Sequence, residues 1–134
     1  MVRTYGLTHI GLAVRDMERS LRFYERLLGV AVLYRDEHSI QVQTPGSHDV
    51  TVFEQDRRKA GAPGGVSHIG FRLRAPSEID GAVRDAKNAG GTILRRGEFV
   101  PGEPYVFVSD PDGYEVEIWY ELETPSQRGA KELP

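Results

Sequence analysis

His9-Ile10-Gly11-Leu12-Ala13-Val14-Arg15 returns further along the chain as His68-Ile69-Gly70-Phe71-Arg72-Leu73-Arg74. A phrase of this length repeated within 134 residues marks a duplicated structural unit. In both copies Ile, Leu, Val or Phe takes every second place, the period of a strand with one buried face. Ile10, Leu12 and Val14 then face the core, and His9, Gly11 and Ala13 face away; His68, Gly70 and Arg72 stand opposite Ile69, Phe71 and Leu73. The two histidines hold equivalent places on equivalent strands, and a pseudo-symmetric fold brings them toward each other.

Outward from the first copy, Asp16 is placed to cap a helix from about Met17 to Leu28, which Gly29 ends. Met17, Leu21, Tyr24, Leu27 and Leu28 share one face of it. Strands are expected at Val30 to Tyr34, Ser39 to Gln43 and Asp49 to Glu54, the last two joined by Pro45-Gly46-Ser47. The second copy leads in the same order to a helix from about Ser77 to Ala89, with Ser77 as cap and Gly90-Gly91 as stop. Strands at Thr92 to Arg95, Tyr105 to Ser109 and Tyr114 to Tyr120 follow, with Asp110-Pro111-Asp112-Gly113 as the turn between the last two. Each half reads β-α-β-β-β. The expectation is one α+β domain over residues 1–122, made of modules at about 5–55 and 66–121. A Gly- and charge-rich linker covers 56–65, and a polar tail covers 123–134.

In the last strand Val116, Ile118 and Tyr120 are assigned to the helix side, so Glu115, Glu117 and Trp119 share the face of the histidines. In the first module Val50 and Val52 are assigned to the helix side, which makes Thr51 the counterpart of Glu117. The expected cup is lined by His9, His68, Glu117, Thr51, Phe53, Trp119 and Arg72. Two imidazoles and one carboxylate on adjacent strands form a 2-His-1-carboxylate face suited to Fe(II), Mn(II), Zn(II), Ni(II) or Co(II). Either histidine alone is more simply a satisfied polar group on a half-exposed sheet. Their equivalence under the repeat, together with the inward Glu117, is what favours a metal.

Composition narrows the classes. Hydrophobic residues at 39% and charged residues at 28% are those of a globular domain. Cysteine is absent, which removes disulfides, thiolate nucleophiles and Cys-ligated zinc. A net charge of −3 gives no case for nucleic acid, and Arg57-Arg58-Lys59 reads as a solvated loop. With no long apolar run and no signal-peptide pattern, the expectation is a cytoplasmic protein without membrane contact. Asp110 and Asp112, set between Pro and Gly, read as turn residues rather than a catalytic pair.

The chain resembles the vicinal oxygen chelate superfamily, which includes glyoxalase I, bleomycin-resistance proteins, fosfomycin-resistance enzymes and extradiol dioxygenases. The stretches that carry the resemblance are Thr8-His9-Ile10-Gly11-Leu12-Ala13-Val14, Ser20 through Gly29, Ser67-His68-Ile69-Gly70-Phe71 and Asp110-Pro111-Asp112-Gly113-Tyr114-Glu115-Val116-Glu117. The resemblance implies paired βαβββ modules in a cupped sheet around a divalent metal, with ligands at His9, His68 and Glu117. It also implies a small substrate that chelates the metal through neighbouring oxygens, and a homodimer whose cup is shared between chains in some members.

Departures from the family's patterns refine this. The glutamate that glyoxalase I places on the last strand of its first unit falls at Thr51 in the register above, a weak ligand. The three remaining ligands suit a dioxygenase using iron or manganese, with His48 near the family's proton-accepting histidine; in a glyoxalase-like lyase or isomerase, Glu117 or metal-bound water would move the proton. The dioxygenase tyrosine place is held by Phe107, which Tyr105 replaces only by reaching from a neighbouring turn. Tyr105 and Phe107 therefore join the expected pocket with Trp119 and Phe53 as stacking groups. The first expectation is a dioxygenase-like enzyme; the alternatives are a glyoxalase-like lyase or isomerase, and a non-catalytic drug-binding protein.

Overall fold

The computed structural model describes residues 1–62 and 64–123. The expected tail at 123–134 therefore lies, beyond its first residue, outside the described residues. The first module runs β1 (His9–Val14), α1 (Met17–Leu28), β2 (Ala31–Arg35), β3 (Ser39–Gln43) and β4 (Val50–Gln55). The second runs β5 (Ile69–Arg72), α2 (Ile79–Asn88), β6 (Thr92–Glu98), β7 (Pro104–Ser109) and β8 (Glu115–Trp119). Each module folds its strands into a four-stranded mixed sheet, in the orders β1-β4-β3-β2 and β5-β8-β7-β6. The first and fourth strands pair in parallel and the others antiparallel, so the duplication in sequence is a duplication in topology.

Local chemistry sets the helix ends. The Asp16 carboxylate accepts from the backbone N–H groups of Glu18 at 3.0 Å and Arg19 at 3.2 Å, satisfying two donors that the first turn leaves open. Gly29 closes α1 in the left-handed region at φ 66°, its N–H reaching the Glu25 carbonyl. The second helix departs from expectation at its start. A 3₁₀ turn, Pro76–Glu78, precedes α2, and the Glu78 carboxylate accepts from Ala75 N–H at 3.3 Å, so Ser77 is not the cap. Pro76 suits such a first turn because its missing N–H is not needed there.

Both helices bury their apolar faces in one core that draws on both modules. Leu21, Phe23, Tyr24 and Leu27 of α1 and Val83 and Ala86 of α2 pack with Ile40, Phe53, Val106, Val108 and Val116. Gly91 permits a close approach in this core, because a Cβ there would stand 2.6 Å from Val108 and 3.1 Å from Phe23, each from a different module. The turn before β8 ties the modules together with polar groups. Asp112 Oδ1 accepts from Arg15 N–H at 3.0 Å and from the guanidinium groups of Arg15 and Arg19 at 3.3 and 3.1 Å, while Ser20 reaches Oδ2 at 3.4 Å. Asp110 accepts from the Tyr24 hydroxyl at 2.8 Å and from the N–H groups of Asp112 and Tyr114. Tyr114 donates its hydroxyl to the Ala13 carbonyl at 2.7 Å and accepts from Gly61 N–H.

Candidate functional site

The faces of the sheets opposite the helices carry the groups of interest. In the second sheet β8 places Glu117 beside Gly70 and Trp119 beside Arg72, while β7 places Phe107 against Glu117 and Tyr105 against Trp119. Laterally paired residues point to the same side of a sheet, so all of these share the outer face with His68. His68 Nε2 lies 3.1 Å from Glu117 Oε2. Its Nδ1 sits 2.8 Å from the Ser67 hydroxyl, which fixes the ring and leaves Nε2 aimed at the carboxylate. His9 repeats the arrangement, with Nδ1 2.8 Å from the Thr8 hydroxyl.

An aromatic wall stands beside the His68–Glu117 pair. Phe107 meets the His68 ring edge-to-face at 5.2 Å, and Tyr105 meets Phe107 at 5.6 Å. Phe99 stacks on Tyr105 at 4.1 Å and meets Trp119 edge-on at 5.9 Å. Arg95 covers Phe107 at 4.0 Å and pairs with Glu115 at 2.7 Å. Burial pushes the Glu117 carboxyl above its ordinary range, while the neighbouring His68 and Arg95 pull it back down. A buried carboxylate with a raised proton affinity is stabilised as an anion by a cation beside it.

Some expected residues take other places. In the first sheet β4 pairs with β1 as Ile10 with Thr51, Gly11 with Val52, Leu12 with Phe53 and Ala13 with Glu54. Thr51 and Phe53 are 7% and 0% exposed and face the helices, where Phe53 packs on Tyr24 at 5.1 Å. Val50, Val52 and Glu54 stand on the outer face instead. Phe53 decides this register, because the largest apolar side chain of the strand takes the core. The counterpart of Glu117 is therefore Val52, which offers no donor atom.

Arg72 pairs with Glu121 at 3.8 Å. His48 is exposed ahead of β4, without a hydrogen bond or ion pair among the described residues. The Tyr105 hydroxyl lies by Gly97 of β6, on the side away from β8, so it does not serve as the missing tyrosine. A cleft lies between the Thr44–Ser47 turn and Gly70–Arg74.

His9, His68 and Glu117 are not gathered within one chain. Among the described residues no three His, Asp or Glu side chains approach closely enough to hold an ion, and β1 and β5 lie in different sheets. Phe99, Arg95 and Glu54 are site-facing residues that the pattern of the sequence does not reveal. Phe99 follows β6 at a Val-Pro-Gly turn, where nothing signals an inward ring. Glu54 becomes visible once Val52 is set against Glu117.

The glyoxalase/bleomycin resistance protein/dioxygenase superfamily model matches residues 6–118. The metapyrocatechase of Geobacillus stearothermophilus is 26% identical over 87% of this chain, which spans 35% of that protein's length. The lactoylglutathione lyase of Neisseria meningitidis serogroup A is 30% identical over 84% of this chain and 88% of its own length. The crystal structure of the fosfomycin resistance protein FosX from Mesorhizobium loti superposes with a TM-score of 0.74 at 18% identity, covering 94% of this chain and 98% of that one. With its repeated βαβββ modules and a family match over nearly its whole described length, the chain belongs to the glyoxalase/bleomycin resistance protein/dioxygenase superfamily.

Proposed function

We propose that this chain is a divalent-metal-dependent enzyme that acts on a flat small molecule with two adjacent oxygens, in the manner of a dioxygenase. One observation carries the reading: the His68–Glu117 pair is walled by Phe99, Tyr105, Phe107 and Trp119, and the place of a fourth ligand is taken by Val52. An aromatic wall suits a planar ring, and a three-donor set keeps coordination positions open for a chelating substrate and dioxygen. The kinship with metapyrocatechase supports the same reading.

His68, Glu117 and His9 would hold the ion, with the hydroxyls of Ser67 and Thr8 orienting the imidazoles. Iron or manganese is the expected ion; when bound, it supplies Lewis-acid polarisation and a template for the substrate's two oxygens. The protein's own part is to stack the ring against Phe107 and Trp119 and to limit water at Glu117. His9 would come from a second copy of the chain, a reading supported by its place in a different sheet from His68 and by the lack of a three-ligand group among the described residues of one chain. The cup is thus shared across a homodimer.

Metal content and oxygen uptake test this together. Wild-type protein should carry about one iron or manganese per chain and take up O₂ with catechols. Neither His9→Ala nor Glu117→Ala should hold the metal alone. Co-expressed, the two variants form hybrid dimers in which one of the two cups is intact, restoring about a quarter of wild-type metal. No restoration would place each site within one chain. A second reading, a glyoxalase-like lyase, is favoured by the similarity to lactoylglutathione lyase along most of its length. Turnover of a hemithioacetal with no O₂ uptake would establish it over the first.

A further inference from the structure

The outer face of the first sheet is poor in charge. β1 brings His9, Gly11 and Ala13 to it, β3 brings the uncharged Ser39 and Gln41, and β4 brings Val50, Val52 and Glu54. Glu54 starts level with Ala13, yet its carboxylate does not extend past the end of the strand. Its Oε1 lies 3.2 Å from where a Cβ on Gly11 would stand, so the side chain folds back along the strand toward His9. It has no hydrogen bond or ion pair among the described residues to explain that course. The bare backbone of Gly11 leaves the space it enters.

The second module shows what that space is. Gly70 is the repeat equivalent of Gly11, and over it converge Glu117 Oε2, 3.8 Å from the place of a Cβ, and Trp119 Nε1 at 3.7 Å. Trp119 is the register equivalent of Glu54, since each lies one alternate position beyond the residue paired with the glycine. The hollow over the glycine is thus where the second module sets its metal-facing carboxylate. In the first module the same hollow holds a carboxylate that arrives from the next place along the strand.

We propose that Glu54 is the proton acceptor of the cup, taking the hydroxyl proton of the chelating substrate. The substrate's O–H bond breaks, its electron pair stays on the substrate oxygen, and the proton passes to the Glu54 carboxylate and later to water. This deepens the dioxygenase reading and rests on it. It also assigns the role expected of His48 to a residue that the strand aims into the cup.

The test uses the metal-loaded protein under anaerobic conditions with 4-nitrocatechol, whose ionisation is read from its visible absorption. Wild type should ionise the bound probe at lower pH than the free probe. Glu54→Gln should keep wild-type metal content while stopped-flow absorption shows the bound probe losing its proton about tenfold more slowly, or slower still. Glu54→Asp should recover part of that rate. A Glu54→Gln rate equal to wild type overturns the assignment and leaves the dioxygenase reading standing. Loss of metal in Glu54→Gln overturns it too, by making Glu54 a ligand. A wild-type protein that leaves the probe's ionisation unchanged sinks the dioxygenase reading and the role of Glu54 with it.

Discussion

The two modules share strand order, helix placement and a histidine held by the hydroxyl before it, but they differ sharply on their outer faces. The second module gathers His68, Glu117 and four aromatic rings into a dense, partly buried cluster. The first presents His9, two valines and the folded-back Glu54 on an open surface. Duplication preserved the parts that build the core and left the outer faces free to diverge. Residues facing the helices answer to packing density, where one methylene is felt; residues on the cup answer only to chemistry. In the proposed site one module supplies the substrate wall and the other donates an imidazole and a carboxylate.

The comparison breaks most visibly on β4, where neighbouring residues face opposite ways. Thr51→Glu forces a carboxylate into the core beside Ile10 and Phe53 and should cost about 3 kcal/mol or more, enough to lose the cooperative unfolding transition. Val52→Glu puts the same group on the open face and should leave the urea midpoint nearly in place. It also gives the first module the carboxylate that the second has in Glu117, so it should raise nickel or zinc affinity while weakening catechol binding. Equal destabilisation by both substitutions would overturn the register.

This strand also marks the limit of what the sequence discloses. The repeat of His-Ile-Gly is enough to show the duplication, the strand parity of β1 and β5 and the placing of His68 with Glu117, because a strict alternation has one solution. Val50-Thr51-Val52-Phe53-Glu54 has apolar residues at both parities, and only the space against Tyr24 chooses Phe53 for the core. The fold was legible because it is written in the buried faces; the first module's half of the site was not, because open faces carry no periodic constraint. The separation of His9 from His68 is a matter of how whole modules pack, to which no local pattern refers.

A smaller effect distinguishes the way the modules join from the way each is built. Asp112 lies in the second module, yet its carboxylate is held by Arg15, Arg19 and Ser20 of the first. Asp112→Ala removes those charge-assisted bonds and strands the Ser20 hydroxyl and Arg15 N–H, for an expected loss of about 2–3 kcal/mol in urea unfolding. Because the substitution touches neither sheet, far-UV circular dichroism should be unchanged at low denaturant. A loss below about 0.5 kcal/mol would mean that the apolar core alone joins the modules.

The smallest effect tests the same junction through pH. Tyr24 of the first module donates to Asp110 of the second, and its hydroxyl is raised well above its ordinary 10.0, first by burial and then by the adjacent Asp110 carboxylate. In the folded chain Tyr24 therefore keeps its proton where the unfolded chain has lost it. Its contribution is fully present below pH 10 and falls away as the pH rises beyond that, since the native state then binds more protons than the unfolded one. Wild type should lose stability between about pH 9 and pH 11 more steeply than Tyr24→Phe, by about 1 kcal/mol over that interval, in urea titrations at matched ionic strength. The variant starts lower at neutral pH, having left Asp110 without its donor, so the two curves converge as the pH rises. Parallel curves would show that Tyr24 ionises in the folded chain as it does in the unfolded one. The contact would then be wet, and the modules would meet through a looser junction than the 2.8 Å bond describes.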